Sequence, residues 1–308
     1  MTIRIAIIGF GKIARDQHWP SISENSAFEL AAIAGGRAQG PQNVERVADH
    51  ATLLSHFGGR LDAVAICTPP GPRHAIARDC LEAGLDVLLE KPPAATLGAL
   101  DVLTAVAQAN KRTLYAGWHS QHAAAVEPAR AALAGKSIRT LTIEWREDVR
   151  RWHPGQDWVL GSDGFGVLDA GVNALSIASC VLPTPLLIDQ ARLLTPANRQ
   201  SPITAELTFA HPNGTAIFDW HAIETDRWMI TIETDDGHVV EICDGGLALS
   251  IDGRDQDLEA RSEYQAMYAR FAELIAARES EVDATPLRLV ADAFLVATRE
   301  QVPAFNWV

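Results

Sequence analysis

The first 120 residues alternate short, continuous apolar runs with segments of helical periodicity. The runs predicted as strands are Ile3–Ile8, Phe28–Ala34, Ala63–Ile66, Asp86–Glu90 and Thr113–Gly117. Helical patterns lie between them, for instance over 73–83 and 97–110. Continuous apolar strands that alternate with helices are typical of a parallel sheet covered on both faces. This part of the chain therefore predicts an α/β fold with a doubly wound, nucleotide-binding (Rossmann) sheet.

The pattern changes after residue 122. A helical pattern over 123–134 leads into longer β-type runs, which turn signals such as Asp235-Asp236-Gly237 separate. The strands predicted here are Ile138–Trp145, Ile203–Phe209, Ala216–Trp220, Trp228–Thr234 and Val239–Ile242, followed by helices over Glu263–Ala277 and near the C-terminus. Hairpin-linked strands indicate a large, mostly antiparallel open sheet. We therefore expect a dinucleotide-binding domain over 1–122 and an α+β substrate-binding and oligomerisation domain over 123–308.

Composition narrows the classes of partner. The chain has 308 residues, 47% of them hydrophobic, and a formal net charge of -13, which argues against nucleic acid as a partner. No apolar run approaches the roughly 20 residues that span a bilayer, and the N-terminus carries no signal-peptide pattern, so a cytoplasmic protein is expected. The four cysteines lack metal-ligand spacing, and no metal site is expected.

A glycine turn follows the first strand directly. Gly9–Ala14 has the pattern G-x-G-x-x-A and opens a helix. Gly9 permits the tight turn, Gly11 lets the backbone approach a pyrophosphate, and Ala14 keeps helix and strand close. Backbone N–H groups at the helix start, at Lys12 and Ile13, favour the anion. A purely structural strand–helix turn is the alternative.

The end of the second strand bears on cofactor preference. An NAD site usually carries an acidic residue there for the ribose 2′-hydroxyl. The sequence instead reads Ala34-Gly35-Gly36-Arg37, and an arginine can pair with a 2′-phosphate. We therefore expect NADP as the preferred cofactor, or use of both NADP and NAD, with a solvated loop position as the alternative for Arg37.

The tripeptide Glu90-Lys91-Pro92 ends another predicted parallel strand, at the edge where ligands of open α/β sheets bind. A partly desolvated lysine near a cationic nicotinamide ring can accept a substrate proton. Pro92 restricts the residue before it, which helps to fix the direction of Lys91. An ordinary surface lysine is the alternative.

The chain resembles the Gfo/Idh/MocA oxidoreductase family in four features. These are the glycine turn, Thr68-Pro69-Pro70 with His74, Glu90-Lys91-Pro92, and the switch to a mostly β second half. The resemblance covers the whole chain, and it implies that Lys91 is catalytic and that the Thr68-Pro69 turn lies against the cofactor. The residues assigned to the cofactor site are Gly9, Gly11, Lys12, Ile13, Arg37, Thr68, Pro69, His74, Glu90 and Lys91.

The second half departs from the family at one position. The family often carries D-x-x-x-H, whereas Asp169 is followed four residues later by Asn173. The two would share one helix face. Asn173 cannot transfer a proton at neutral pH but can hold a hydroxyl by hydrogen bonding. Asp169 can also be interpreted as a helix N-cap.

The chain further resembles the members of the family that oxidise C1 of aldoses, L-arabinose or D-galactose, to the lactone. The features that carry this resemblance are the departure at Asn173, the segment over 144–156, Gly117-Trp118-His119-Ser120 and the run near Arg288. An aromatic ring suits the C–H face of a pyranose, and convergent polar groups suit its hydroxyls. By this resemblance the catalytic residues are Lys91, Asp169 and Asn173, and the sugar pocket is lined by Lys91, His119, Glu147, Trp152, His153, Asp169, Asn173 and Trp228.

The alternatives for the function are a cyclic polyol dehydrogenase of the inositol type and a non-catalytic, nucleotide-sensing regulator. A homodimer or larger homo-oligomer is expected, because an open sheet face usually needs a partner.

Overall fold

The structure is a computed structural model that describes residues 2–162, 164–221 and 225–307. The chain forms two compact units. The first contains the residues up to His119 together with Ser262–Ala284, and the second contains Ser120–Arg261 and the residues from Thr285 onward. The expected division at residue 122 had assigned Ser262–Ala284 to the second half, whereas this segment belongs to the first unit.

The elements are numbered here in chain order. The strands are β1 (Ile3–Ile8), β2 (Phe28–Ala34), β3 (Glu45–Val47), β4 (Ala63–Ile66), β5 (Asp86–Glu90), β6 (Leu114–Gly117), β7 (Ile138–Arg146), β8 (Leu187–Pro196), β9 (Thr204–His211), β10 (Asn213–Asp219), β11 (Arg227–Thr234), β12 (Val239–Cys243), β13 (Ala248–Ile251), β14 (Arg254–Asp255) and β15 (Ala297–Val302). The α-helices are α1 (Trp19–Glu24), α2 (His50–Phe57), α3 (Pro70–Glu82), α4 (Leu97–Asn110), α5 (Val126–Leu133), α6 (Val149–Trp152), α7 (Leu168–Val181), α8 (Glu263–Ala277) and α9 (Thr285–Val296).

The first unit is built on a six-stranded parallel sheet with the order β3-β2-β1-β4-β5-β6. This is the strand order of dinucleotide-binding folds, so the Rossmann prediction is confirmed. Every residue of β4 and β5 is buried, as expected for strands covered on both faces.

Helix α8 completes the core of the first unit. Its Phe271 stacks on Phe28 of β2, with ring centroids 6.1 Å apart, and on Tyr115 of β6, also at 6.1 Å. Ser262 caps the helix by accepting a hydrogen bond from the backbone N–H of Gln265. A segment more than 140 residues beyond β6 in sequence therefore packs on the nucleotide-binding sheet.

The second unit is built on a nine-stranded sheet with the order β14-β13-β12-β11-β7-β10-β9-β8-β15. The β7/β10 and β8/β15 pairs are parallel, and the other six pairs are antiparallel, which confirms the mostly antiparallel sheet. Helix α7 covers one face: a Cβ at its Gly171 would stand 2.7 Å from the ring of Phe218 on β10, so only glycine allows this approach.

Five strands were not predicted, namely β3, β8, β13, β14 and β15. Among them, β3, β13 and β14 have two to four residues, too few to show an alternation. β15 is an edge strand in which Thr298, Arg299, Glu300 and Gln301 are exposed, so it lacks an apolar face. Within the described parts of the chain, no helix is long and apolar enough to cross a membrane.

Candidate active site

The glycine turn has the geometry that a pyrophosphate requires. Gly9 has φ +89°, and a Cβ there would stand 2.8 Å from the backbone nitrogen of Thr68, so a side chain is excluded. At Gly11, by contrast, no described atom lies within 4 Å of the position of an added Cβ. The helix begins at Lys12 and Ile13 with a π-helical turn from Ala14 onward, and Ala14 is fully buried. The open space at Gly11 beside a helix N-terminus fits a dinucleotide pyrophosphate.

Two arginines lie near this turn, one in the loop after β2 and one on β3. Gly36, with φ +81°, packs against the backbone of Phe10, and Arg37 is exposed beyond it. Arg46 of β3 donates a 2.8 Å hydrogen bond to the carbonyl of Ala38 and lies over the Phe10 ring at 5.5 Å. The sequence pointed to Arg37 but not to Arg46, because the short strand that carries Arg46 leaves no pattern.

The turn after β4 carries the buried hydroxyl group of Thr68. The Oγ1 atom of Thr68 is buried and has no hydrogen-bond partner among the described residues. Pro69 precedes the first residue of α3, and His74 lies half-buried on that helix. A buried hydroxyl without a partner is costly, so the atom fits a position that a ligand completes. Thr68 also lies directly against Gly9, at the glycine turn.

Glu90, at the end of β5, is only 4% exposed. Its Oε2 accepts a 2.8 Å hydrogen bond from the backbone N–H of Lys91, and its Oε1 accepts one of 2.8 Å from the hydroxyl of Tyr264. The Nε2 atom of His18 lies 3.9 Å from Oε2. Burial raises the pKa of Glu90, but the neighbouring His18, His119 and Lys91 and the Tyr264 hydroxyl outweigh it, so the pKa of Glu90 is lowered overall and the group is a carboxylate.

The hydrogen bonds of Glu90 fix the backbone of Lys91, which is half-buried and is joined to Pro92 by a cis peptide bond. Glu90 was assigned to the cofactor site, but both of its carboxylate oxygens bind groups of its own unit. The fully buried guanidinium of Arg73 donates to the backbone carbonyls of Glu90 and Pro92. The sequence did not point to Arg73.

His119 follows β6, the strand next to β5. Its Nδ1 lies 2.5 Å from Oε2 of Glu263, and its ring stacks on that of Tyr264 with centroids 4.9 Å apart. When Nδ1 donates to a carboxylate, Nε2 is the ring atom that accepts. Glu263 and Tyr264 were missed because they lie 144 and 174 residues from their partners His119 and Glu90.

In the second unit, Glu147 is 5% exposed and lies among tryptophans. Its Oε1 accepts a 3.1 Å hydrogen bond from Nε1 of Trp220, and its Oε2 accepts one of 2.9 Å from Nε1 of Trp228. Trp228 lies against Trp152 at 5.1 Å and stacks on Trp145 at 5.8 Å, measured between ring centroids. A carboxylate only accepts hydrogen bonds, so one indole donor on each oxygen fixes its direction.

Trp152 is itself held by a carboxylate. Its Nε1 donates to Oδ2 of Asp226 at 3.2 Å, and Arg151 pairs with the same oxygen at 3.0 Å. His153, the next residue, lies against the ring of Trp220 at 5.2 Å, and its Nε2 is 4.0 Å from Oδ2 of Asp169. The structure thus brings predicted sugar-site residues together within the second unit, around Glu147 and Asp169.

The interpretation of Asp169 as a helix N-cap is wrong. Helix α7 begins at Leu168 with Val167 in the N-cap position, and Asp169 lies within the first turn, where a negative charge interacts favourably with the helix dipole. Asn173 lies one turn further along α7, as its four-residue spacing from Asp169 predicted, and it is half-buried.

The sheet order and the glycine turn define a protein with a dinucleotide-binding fold. Residues 3–118 match the family described as "Oxidoreductase family, NAD-binding Rossmann fold". The chain belongs to this family, the Gfo/Idh/MocA oxidoreductases, and it is an oxidoreductase with a nicotinamide dinucleotide-binding fold.

Particular relatives share the whole length of the chain. It is 42% identical over 310 residues to galactose 1-dehydrogenase of Pseudomonas fluorescens, covering 98% of each chain. The crystal structure of D-galactose-1-dehydrogenase from Rhizobium etli is similar with a TM-score of 0.92 and 44% identity, over 99% of this chain and 98% of that one. A 3-ketoreductase from Actinomadura kijaniata, solved with NADP, shares the fold at 20% identity, with a TM-score of 0.84 over 98% of this chain and 100% of that one.

Proposed function

We propose that this oxidoreductase oxidises C1 of an aldopyranose, L-arabinose or D-galactose or both, to the aldonolactone, with hydride transfer to NADP⁺ or NAD⁺. The full-length similarity to galactose 1-dehydrogenases supports a sugar as substrate. L-Arabinose and D-galactose share their configuration at C2, C3 and C4 and differ only in the group at C5, so one set of polar contacts can serve both.

The cofactor, when bound, supplies the hydride acceptor. Backbone N–H groups at Lys12 and Ile13 would hold its pyrophosphate, for which Gly11 leaves open space, and the buried Thr68 hydroxyl would find its partner there. The lack of an acid at the end of β2, with Arg37 in the loop that follows and Arg46 on β3, supports NADP as the preferred form.

Lys91 accepts the proton in this proposal. The C1–H bond breaks with its electron pair, the C1–O bond becomes a carbonyl, and the hydroxyl proton passes to Nζ of Lys91. The backbone on both sides of this lysine is bound by buried groups, which fixes where its side chain begins. Asp169 and Asn173, one turn apart on α7, would bond sugar hydroxyls.

One observation carries the assignment of a sugar: the buried Glu147 carboxylate held by two indole N–H groups. Both donors bind the charged oxygens, so the carboxylate is fixed in direction, and its oxygens are acceptors of the kind that sugar hydroxyls bind. Trp152, fixed through Asp226, adds an aromatic surface of the kind that covers the C–H face of a pyranose. Fixed acceptors beside aromatic rings suit a polyhydroxylated ring better than a flexible or charged substrate.

The test is to incubate the protein with NADP⁺ or NAD⁺ and one of four compounds, following the absorbance of the reduced cofactor. We expect turnover with L-arabinose and D-galactose and much less with D-glucose, which differs from D-galactose only at C4. Turnover with myo-inositol alone would favour the cyclic polyol dehydrogenase. Tight cofactor binding with no turnover on any compound would favour the nucleotide-sensing regulator.

The assignment of Lys91 has a separate test. Lys91→Ala should lose about 10²–10⁴ in kcat, the usual contribution of a positioned acid or base, and should still bind reduced cofactor. Lys136→Ala is the matched control, since Lys136 pairs with Asp236 in the second unit and belongs to neither assigned site. A near-normal rate in Lys91→Ala would remove the lysine from the mechanism.

The open face of the nine-stranded sheet supports a homo-oligomer. Along β7, Leu141, Ile143 and Trp145 are buried on the face that α7 covers, whereas Thr142 on the opposite face is exposed. Half-buried Ile217 and Met229 also lie on that opposite face, in register with Glu144. Light scattering at defined protein concentration measures the mass, which should be at least twice 33.3 kDa.

A further inference from the structure

One arginine connects two loops of the first unit. Arg73 lies in the first turns of α3 and is 2% exposed. Its Nη1 donates to the backbone carbonyls of Glu90 and Pro92, and its Nη2 donates to that of Thr68. A single buried guanidinium therefore binds the loop after β4 and the loop after β5 at the same time.

The two carbonyls bound by Nη1 flank Lys91 on either side. Because the Glu90 side chain also accepts the Lys91 N–H at 2.8 Å, the backbone of Lys91 is held at its own nitrogen and at both neighbours. A guanidinium is planar, carries five donors and stays charged, so it can hold three carbonyls in fixed directions. A lysine has one donor head on a flexible stem and cannot reproduce this pattern.

The third carbonyl belongs to Thr68, whose own hydroxyl is buried without a partner among the described residues. The loop after β4 is the one that packs against Gly9 of the glycine turn. Arg73 thus connects the loop assigned to the cofactor with the loop that carries the proposed proton acceptor.

We propose that Arg73 is a positioning residue that sets the place of Lys91 relative to the cofactor-binding loop. The inference rests on the proposed role of Lys91 in C1 oxidation. Orientation matters steeply, since a misplacement of about 1 Å costs on the order of 10²-fold in rate. Arg73 acts through the backbone carbonyls that its buried guanidinium binds.

The test is a cycle of four proteins: wild type, Arg73→Lys, Lys91→Met and the double variant. Arg73→Lys should lower kcat for D-galactose or L-arabinose by about 10- to 100-fold and change the sugar KM by less than about threefold. In the Lys91→Met background the same change should lower kcat by less than about twofold, because the residue through which it acts is gone. Arg78→Lys, on the exposed face of the same helix, is the matched control and should leave kcat unchanged.

Two results would overturn the proposal: a normal kcat in Arg73→Lys, or an equal fold-loss with and without Lys91. The second would mean that Arg73 only stabilises the unit. If Arg73→Lys does not fold, hydrogen exchange in the wild-type protein still tests the proposal, because it needs no variant at position 73. In the wild-type protein, the Lys91 amide should exchange its hydrogen as slowly as the amides of β5, and exchange as fast as in an open loop would contradict the proposal.

These readouts separate the two levels of inference. If the wild type oxidises neither sugar, the proposed function fails, whereas the hydrogen exchange of Lys91 still tests whether its backbone is held. If the sugars are oxidised and Lys91→Met retains the rate, the lysine assignment fails and the positioning role with it.

Discussion

Two tyrosines on α8 provide a matched test of the buried Glu90 network. The Tyr264 hydroxyl donates to the Glu90 carboxylate at 2.8 Å, and the Tyr268 hydroxyl lies 2.8 Å from Nδ1 of His18. Both rings are buried, and burial is the main reason that the pKa of each tyrosine is raised well above its usual value, so both are neutral phenols. The hydrogen-bond partners of the two tyrosines differ in charge: Tyr264 bonds a charged carboxylate and Tyr268 a neutral imidazole.

The difference sets the expected order of stability. A buried hydrogen bond to a charged group contributes about 1.5–3 kcal/mol, and one between neutral groups about 1 kcal/mol. Tyr264→Phe should therefore lower the free energy of unfolding by about 2 kcal/mol and Tyr268→Phe by about 1 kcal/mol. At roughly 2–4 °C per kcal/mol, the corresponding losses in Tm are about 4–8 °C and about 2–4 °C.

Urea unfolding at neutral pH measures both variants under one condition. Glu90→Gln supplies the control, because it removes the charge that distinguishes the two tyrosines. In that background the cost of Tyr264→Phe should fall towards that of Tyr268→Phe. Equal costs in the otherwise unchanged protein, or a larger cost for Tyr268→Phe, would refute the inference that the Glu90 carboxylate is bound as a charged group.

Other expectations test the cofactor loop, the tryptophan cluster and the effect of pH. Arg37→Ala should lower kcat/KM for NADP⁺ about tenfold and leave NAD⁺ within twofold, since one arginine–phosphate contact is worth about 1.5 kcal/mol; an equal loss for both cofactors would argue against a 2′-phosphate contact. Asp226→Asn weakens the charge-assisted bond to Trp152, so the sugar KM should rise about fivefold with kcat unchanged, and an unaltered KM would remove that indole from sugar binding. Burial lowers the pKa of His18 from 6.5 to about 4, so as the pH falls the unfolded chain binds a proton at His18 before the folded protein does. The contribution of neutral His18 to the free energy of unfolding is therefore complete above pH 6.5 and is about 2 kcal/mol smaller at pH 5. Urea midpoints at pH 7 and pH 5 should therefore converge in His18→Gln, and an undiminished pH effect in that variant would assign it to other groups.

The sequence predicted those parts of the fold that leave a local pattern. The strands β1, β4 and β5 are continuous apolar runs because neighbours cover both of their faces, and their bounds were predicted correctly. The helix α8 was also predicted with the right bounds, but not its place in the first unit. Helical periodicity indicates that one face is buried and does not indicate which core buries it.

The same reason limits what could be predicted of the site. Lys91 was assigned from the Glu90-Lys91-Pro92 motif, and Glu147 was assigned from the resemblance of the segment over 144–156. The buried groups that bind Glu90 and Glu147, Tyr264 and Trp220, lie 174 and 73 residues from them in sequence. Arg73 was not identified either, although it is only 17 residues from Glu90, because its role depends on backbone carbonyls, which every residue carries.

The central claim is that hydride leaves C1 of an aldopyranose. D-Galactose and L-arabinose labelled with deuterium at C1 test it directly, by mass spectrometry of the reduced cofactor and of the sugar product. We expect the deuterium in the reduced cofactor and the unlabelled aldonolactone as the product. Reduced cofactor without deuterium, formed while the label stays on the sugar, would place the oxidation at another carbon and contradict the account.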